Sequence, residues 1–219
     1  MGDKIMTAIA TPISQIEITP GSAIQIAGLT WENYMALLQE LGDNRSTRVA
    51  FANGVLEIRM PSQRHEVSNR VLAAIALTLA EELGYEFNDL GAMTINRPQL
   101  NRGLEPDSCF YIQNARAGQG LQTAIADLPP DLAIEVDIAR RSDNKLAIYQ
   151  AIAVPEIWLY QSDRLKILIL ENGVYTDSTT SRAFPIASVE QLQQWLDLRK
   201  TGTDLTVVRS VRQFCRSLR

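Results

Sequence analysis

The sequence predicts an α/β fold, with a mixed β-sheet flanked by helices and a β-hairpin near the N-terminus. Asn-Gly pairs at 53–54 and 172–173 lie between β-prone runs. Such a pair favours a hairpin because both residues tolerate the positive φ of a type I′ turn. Segment 131–160 holds two apolar runs around a helical pattern, which indicates parallel strands joined by a crossover helix. The 219 residues suit one domain, predicted at 26–219 after an N-terminal arm at 1–25.

Helices are expected where apolar residues recur at helical spacing between capping residues. Thr30 can cap a first helix that ends near Gly42, and a longer helix from Ser62 to Leu83 ends at Gly84. The longer helix has an apolar face formed by Val67, Val71, Leu72, Ile75, Leu79 and Leu83. The remaining helices are expected at about 142–153, 188–198 and 204–218. Short strands are expected within 85–96, and a loop at 97–103.

Composition and charge narrow the class of protein. Hydrophobic residues make up 46% and charged residues 21% of the chain, as in ordinary globular proteins. Cys109 and Cys215 lie far apart in sequence, which favours a reducing compartment. No run approaches the roughly 20 apolar residues that cross a bilayer, so we expect a cytoplasmic protein without a membrane partner. The net charge of −4 argues against a protein that coats nucleic acid. The arginines within 209–219 recur at helical spacing and are expected to form a solvated helix face, with contact to DNA as the alternative.

Acidic residues in two predicted strands are candidates for a metal site. Asp107 opens one strand, and Glu135 lies inside the apolar run DLAIEVDI. A carboxylate in a buried strand is costly to ionise without a cation or hydrogen-bond donors. Because side chains alternate along a strand, Asp137 is expected to face the same way as Glu135. Carboxylates of this kind suit Mg²⁺ or Mn²⁺, so Asp107, Glu135 and Asp137 are the predicted metal ligands.

A structural role is the alternative for these acids. A strand-end carboxylate can simply pair with an arginine, and Arg140 and Arg141 are close in sequence. Lys145 favours the metal site, because the first turn of the next helix would bring its cation towards the bound water or a phosphate. A plain surface lysine is the other interpretation. Tyr149, one turn later on the same face, is expected to hold the lysine or to face the substrate.

The residues around these acids resemble a known family. The chain resembles the PD-(D/E)XK nuclease superfamily in three features. These are a Pro-Asp strand start at 106–107, the acid Glu135 in a following strand, and Lys145 on the helix after that strand. The segment PPDLAIEVDIARRSDNKLAIYQAIAVPEIWLY resembles the Uma-two-type restriction endonucleases, and the resemblance covers about 28–200. It implies a restriction endonuclease-like fold, Mg²⁺-dependent hydrolysis of DNA phosphodiester bonds, and a homodimer. Asp107, Glu135 and Lys145 would form its active site.

The first turn of the helix at 62–83 holds two further candidates for catalysis. In the superfamily an acid on the first helix often completes the metal site, which implies such a role for Glu66. His65, the only histidine in the sequence, could act as a base or bind phosphate. Both residues could instead cap the helix or lie in solvent.

Three positions depart from the family's pattern. Asp137 stands where the superfamily motif has lysine, the loop at 139–141 reads Ala-Arg-Arg instead of small polar residues, and Ala153 replaces a glycine. Together with the acidic net charge, these departures support an alternative function. The protein would then be a catalytically silent, dimeric binding or regulatory module built on a nuclease scaffold. A Ser/His/Asp hydrolase is a weaker third hypothesis, because there is one histidine and no G-x-S-x-G motif.

Overall fold

The structure is a computed structural model, which describes residues 12–118, 128–137 and 143–219. Its strands, in chain order, are β1 (Ala23–Ala27), β2 (Arg48–Ala52), β3 (Val55–Arg59), β4 (Asn88–Asp89), β5 (Ile95–Arg97), β6 (Arg102–Leu104), β7 (Ser108–Tyr111), β8 (Leu132–Asp137), β9 (Glu156–Gln161), β10 (Arg164–Glu171) and β11 (Val174–Ser178). Its α-helices are α1 (Trp31–Leu41), α2 (Gln63–Leu83), α3 (Asp143–Ile152), α4 (Val189–Leu198) and α5 (Asp204–Ser217).

The strands form two sheets. The larger sheet has the order β11-β10-β9-β8-β7-β4, and its only parallel pair among the described strands is β8–β9, joined by α3. This confirms the predicted mixed sheet and its crossover helix. The smaller sheet, β1-β3-β2-β6-β5, is antiparallel throughout. It contains the predicted N-terminal hairpin, β2–β3.

The larger sheet separates two apolar cores. Helices α2, α4 and α5 cover one face, while α3 and the smaller sheet cover the other. Strand β8 is buried between them: Leu132, Ile134 and Val136 lie in the first core, and Ala133 lies in the second. Because side chains alternate along a strand, Glu135 must share the side of Ala133 and face α3.

Capping residues mark the starts of α1 and α2 and the end of α2, and those at Thr30 and Gly84 lie where the sequence predicted them. The Thr30 side chain accepts a hydrogen bond from the Asn33 amide at the start of α1, and Ser62 accepts from the His65 amide at the start of α2. Gly84 ends α2 with a φ of 70°, the left-handed conformation that glycine adopts without steric cost.

Two short strands differ from the sequence prediction. Strand β1 begins at Ala23, inside the segment assigned to an N-terminal arm, and pairs with β3 through the main chain. Strand β6 lies in the segment predicted to be a loop. Its Gly103 allows close packing, since a Cβ would lie 2.5 Å from both Asn96 Oδ1 and the Tyr34 hydroxyl.

The C-terminal arginines lie on the solvated helix face that the sequence predicted. Arg212 pairs with Glu81 at 2.7 Å and Arg216 pairs with Glu82 at 3.3 Å, which fastens α5 to α2. Across the described ranges, none of the helices has the length and apolar character that crossing a membrane requires.

Replacing Ala153 by glycine is expected to stabilise the protein. Ala153 follows α3 with a φ of 64°, a conformation that costs a residue with a Cβ about 1 kcal/mol. The substitution should therefore raise the free energy of unfolding by about 1 kcal/mol and the melting temperature by roughly 2–4 °C. Ala147→Gly, on the exposed face of α3, is the matched control and should lower stability by about 1 kcal/mol. A destabilising Ala153→Gly would contradict the left-handed geometry.

Candidate metal-dependent active site

The register between β7 and β8 brings the two predicted acids together. Ser108 is paired with Ile134 in this antiparallel ladder, so Asp107, one residue earlier, stands opposite Glu135. Directly opposed side chains in such a ladder have Cβ atoms about 5 Å apart. Both carboxylates are buried, with side chains 0% and 3% exposed. The prediction that they converge is confirmed by the geometry.

Asp107 binds groups from three different elements. Its Oδ1 lies 3.1 Å from an Arg59 guanidinium nitrogen on β3. Its Oδ2 accepts from the Val136 amide of β8 at 2.8 Å, and His65 Nε2 of α2 lies 2.9 Å from the same oxygen. The Asn69 side chain, one turn further along α2, donates to the Asp107 carbonyl at 3.0 Å. The start of β7 is therefore fixed at the junction of both sheets and α2.

Glu135 is held mainly by α3. The Lys145 ammonium donates to both carboxylate oxygens, at 3.0 and 2.9 Å, and the Tyr149 hydroxyl donates to Oε1. Lys145 and Tyr149 lie four residues apart, so they share one face of the helix. Arg59 approaches the other oxygen at 3.5 Å. Tyr149 lies one turn from Lys145 as predicted, but its hydroxyl binds Glu135, the partner of the lysine, and not the lysine itself.

The environments of the two acids shift their pKa values in opposite directions. Burial alone would raise the pKa of Asp107, but Arg59, His65 and Lys145 outweigh it and hold that pKa well below its usual range. Burial raises the pKa of Glu135, against the opposing effect of Lys145, and the Asp107 charge adds to the increase. Paired carboxyl groups with separated pKa values are typical of sites that perform acid–base or metal chemistry.

Arg59 is the site residue that the sequence analysis missed. It ends β3 in the smaller sheet, and besides the two acids it contacts the Val136 carbonyl, to which a guanidinium nitrogen donates at 3.2 Å. The sequence offers no specific signal for this pairing, because Arg59 lies on the half-buried face of β3, opposite the buried Leu56 and Ile58.

Of the two candidates on α2, the structure brings one into contact with the acids. His65 is buried and contacts Asp107 as described. The Glu66 side chain is 36% exposed and lies 3.6 Å from Arg48 and 3.8 Å from His65 Nδ1. Glu66 therefore lies at the rim of the site, and its catalytic role stays a prediction.

Several predicted residues fall outside the described part of the chain. Arg140, Arg141 and Ser142 belong to the undescribed segment 138–142, so their predicted pairing and capping roles remain predictions. Asp137 ends β8, where its main chain pairs with Gln161. Its role as a third metal ligand also remains a prediction.

The donor set fits a hard divalent cation. Within residues 12–118, 128–137 and 143–219, no three or more His, Cys, Asp and Glu side chains are grouped so as to hold a metal ion. Asp107 and Glu135 nevertheless provide carboxylate oxygens beside the Val136 carbonyl, and Arg59 already draws these oxygens around one cation. Mg²⁺ commonly takes only one or two carboxylates from a protein and completes its shell with water and substrate phosphate.

Comparisons with known proteins identify the family and the fold. The sequence model of the Uma2 family, described as "Putative restriction endonuclease", matches residues 31–201. Among solved structures, the fold is similar to "a putative nuclease belonging to DUF820" from Anabaena variabilis, with 14% identity, a TM-score of 0.54, and coverage of 77% of this chain and 99% of that chain. No curated protein gives a significant match. The resemblance predicted from the sequence is thus confirmed, and because the family match spans most of the chain, including Asp107, Glu135 and Lys145, the protein belongs to the Uma2 family.

Proposed function

We propose that the protein is a divalent-metal-dependent DNA endonuclease that hydrolyses phosphodiester bonds. The observation that carries this proposal is the convergence of two buried carboxylates, Asp107 and Glu135, with the Lys145 ammonium bound to the second. Membership of a family described as restriction endonucleases supports DNA as the substrate.

Asp107 and Glu135, with the Val136 carbonyl, are the groups that would hold Mg²⁺ or Mn²⁺. When bound, the cation supplies Lewis-acid chemistry, since it polarises a phosphoryl oxygen and acidifies a water molecule. Asp107 is suited to binding because its low pKa keeps the carboxylate ionised at neutral pH. Its contact with His65 and its bond from the Val136 amide fix the carboxylate plane. Asp137, which lies on the same strand as Glu135, is proposed as a further ligand.

Lys145 would stabilise the negative charge that develops on the phosphate during hydrolysis. Its ammonium is fixed by two bonds to Glu135, so little reorganisation is needed when that charge develops. The Tyr149 hydroxyl donates to Oε1 of Glu135 and so helps to orient the same carboxylate. Burial and the Glu135 charge raise the pKa of Tyr149 well above its usual value, so its hydroxyl stays a hydrogen-bond donor at neutral pH.

We further infer that two subunits act together, each cutting one DNA strand. Double-strand cleavage by a single-site domain requires two active sites, and a homodimer is the simplest way to supply them. A monomer in light scattering at working concentrations, combined with nicking but no linear product, would contradict this inference.

Nicking of supercoiled plasmid DNA tests the proposed activity. The full chain should convert supercoiled plasmid to open-circle or linear product with Mg²⁺ or Mn²⁺, and chelation by EDTA should abolish this conversion. Asp107→Asn and Glu135→Gln, purified in parallel, should reduce product to the level of the EDTA control because each removes one carboxylate. Equal activity in all three preparations would show a contaminating nuclease and contradict the proposal.

The second candidate function is a catalytically silent binding module. One observation favours it: Arg59 and Lys145 already neutralise both acids, so the fold does not need a metal to bury them. Metal titration separates the two functions. If millimolar Mg²⁺ and Mn²⁺ leave the melting temperature and tryptophan fluorescence unchanged, the silent module is supported and the endonuclease is not.

A further inference from the structure

Arg59 contacts oxygens of Asp107, Glu135 and Val136, three of the groups that the proposed function assigns to a divalent cation. One guanidinium nitrogen donates to the Val136 carbonyl at 3.2 Å, and the other lies 3.1 Å from Asp107 Oδ1 and 3.5 Å from Glu135 Oε2. A magnesium ion bonds oxygen at about 2.1 Å, so an ion bound to the same oxygens would overlap the space that the guanidinium fills. Arg59 and the ion cannot occupy these positions together.

The charge balance of the site leads to the same conclusion. Asp107 and Glu135 are opposed by two cations, Arg59 and Lys145. A divalent ion added to this set would leave an excess of positive charge in a buried site, which is strongly unfavourable. One of the two protein cations therefore has to move away when the ion binds.

Arg59 is the cation better able to leave. Its side chain is 16% exposed, against 7% for Lys145. Lys145 donates to both oxygens of Glu135 from a helix that packs into the second core, whereas Arg59 stands at the end of a strand in the other sheet. The flexible arginine stem allows the guanidinium to swing outwards without any change in the main chain.

We propose that Arg59 acts as an internal cation, which fills the metal position in the resting site and must withdraw before the divalent ion binds. Arg59 thereby lowers the metal affinity of the site and keeps the two buried acids stable when no metal is present. This inference rests on the proposed metal-dependent function.

Metal affinity measured by calorimetry tests the inference independently of catalysis. Mn²⁺ is titrated into the full-length protein and into Arg59→Gln, with the melting temperature recorded in parallel. Arg59→Gln should bind Mn²⁺ at least tenfold more tightly, because the ion no longer displaces a bound cation. Without metal this variant should melt below wild type, and saturating Mn²⁺ should raise its melting temperature more than that of wild type.

Arg48→Gln is the matched control for this experiment. Arg48 is the register partner of Arg59 on the neighbouring strand, so its replacement removes the same charge close by. Arg48 contacts Glu66 and the main-chain carbonyls of Ser46 and Thr47, which directly precede its strand. The Mn²⁺ affinity of Arg48→Gln should stay within about threefold of wild type. This result would show that Arg59 acts by occupying the metal position, and not through a general change in electrostatic potential.

The possible outcomes distinguish this inference from the proposed function. Equal or weaker Mn²⁺ binding by folded Arg59→Gln overturns the inference and leaves the metal site standing. Absence of Mn²⁺ binding in every protein overturns both. If Arg59→Gln fails to fold, Arg59→Lys replaces it, since a lysine keeps the charge but cannot reach three oxygens with a planar fork. Arg59→Lys should then bind Mn²⁺ several-fold more tightly than wild type, and unchanged affinity overturns the inference.

Discussion

Replacing Lys145 by methionine is expected to lower the free energy of unfolding by about 3–5 kcal/mol at neutral pH. The ammonium donates to both oxygens of Glu135 within a buried pair. Methionine has a similar length but no charge, so Glu135 loses its main counter-ion and must stay charged against its burial or take up a proton. Urea denaturation measures the loss as a lower midpoint at an unchanged m-value.

The pH dependence of this loss has a defined sign. The pKa of Glu135 is already raised by burial in the wild type, and removal of Lys145 raises it further. A group with a raised pKa in the folded state contributes stability below its unfolded pKa and loses that contribution as pH rises through the folded pKa. The deficit of Lys145→Met should therefore be small at pH 4 and grow towards pH 8.

Two further variants show whether the buried pair causes the effect. The double variant Lys145→Met/Glu135→Gln removes both charges and should recover most of the lost stability. Lys166→Met breaks an exposed pair with Asp177 at 3.5 Å and should change stability little. If the double variant is as unstable as Lys145→Met, the lysine stabilises α3 by packing alone and the ion pair is not responsible.

Much of the fold was predictable because its signals are local. Asn-Gly turns, the cap at Thr30 and Gly84 determine backbone geometry over a few residues, and each is found where the sequence predicted. Strands β1 and β6 were missed for the opposite reason. Strand β1 is half-exposed along most of its length and β6 has three residues, so their stability comes from neighbouring strands and not from their own pattern.

The residues of the candidate site also fall into those that the sequence could identify and one that it could not. Asp107 and Glu135 could be identified because acids in apolar strands stand out in the sequence. Lys145 could be identified because it lies in the first turn of the next helix and because the resemblance to a nuclease family runs through it. The arginine that pairs with the acids could not be identified, since Arg140 and Arg141 were nearer in sequence than Arg59. The pairing of Arg59 with Asp107 depends on how two sheets pack against each other, and no short-range pattern encodes that arrangement.

Replacing Asp107 by asparagine is expected to lower stability by about 2–4 kcal/mol at neutral pH, in addition to its effect on DNA cleavage. The carboxylate is completely buried and accepts from Arg59 and the Val136 amide, with His65 in contact. An asparagine can still accept one of these bonds. Its amide group is itself a donor, however, so it meets either Arg59 or the Val136 amide donor to donor and leaves the arginine without a charge partner at this position.

Measuring the difference in stability between wild type and Asp107→Asn at several pH values gives a sharper test. Arg59, His65 and Lys145 hold the pKa of Asp107 well below its usual range despite burial. The stability from Asp107 is therefore fully present above its unfolded pKa of about 4 and is lost as pH falls through the lower, folded pKa. Urea midpoints of wild type and Asp107→Asn should differ most at pH 5–7 and converge below pH 4. Asp163→Asn, which alters an exposed pair with Arg64, should follow the wild type throughout. A gap between wild type and Asp107→Asn that stays constant from pH 7 to pH 3 would mean that shape, and not the charge of Asp107, holds β7 against α2 and the smaller sheet.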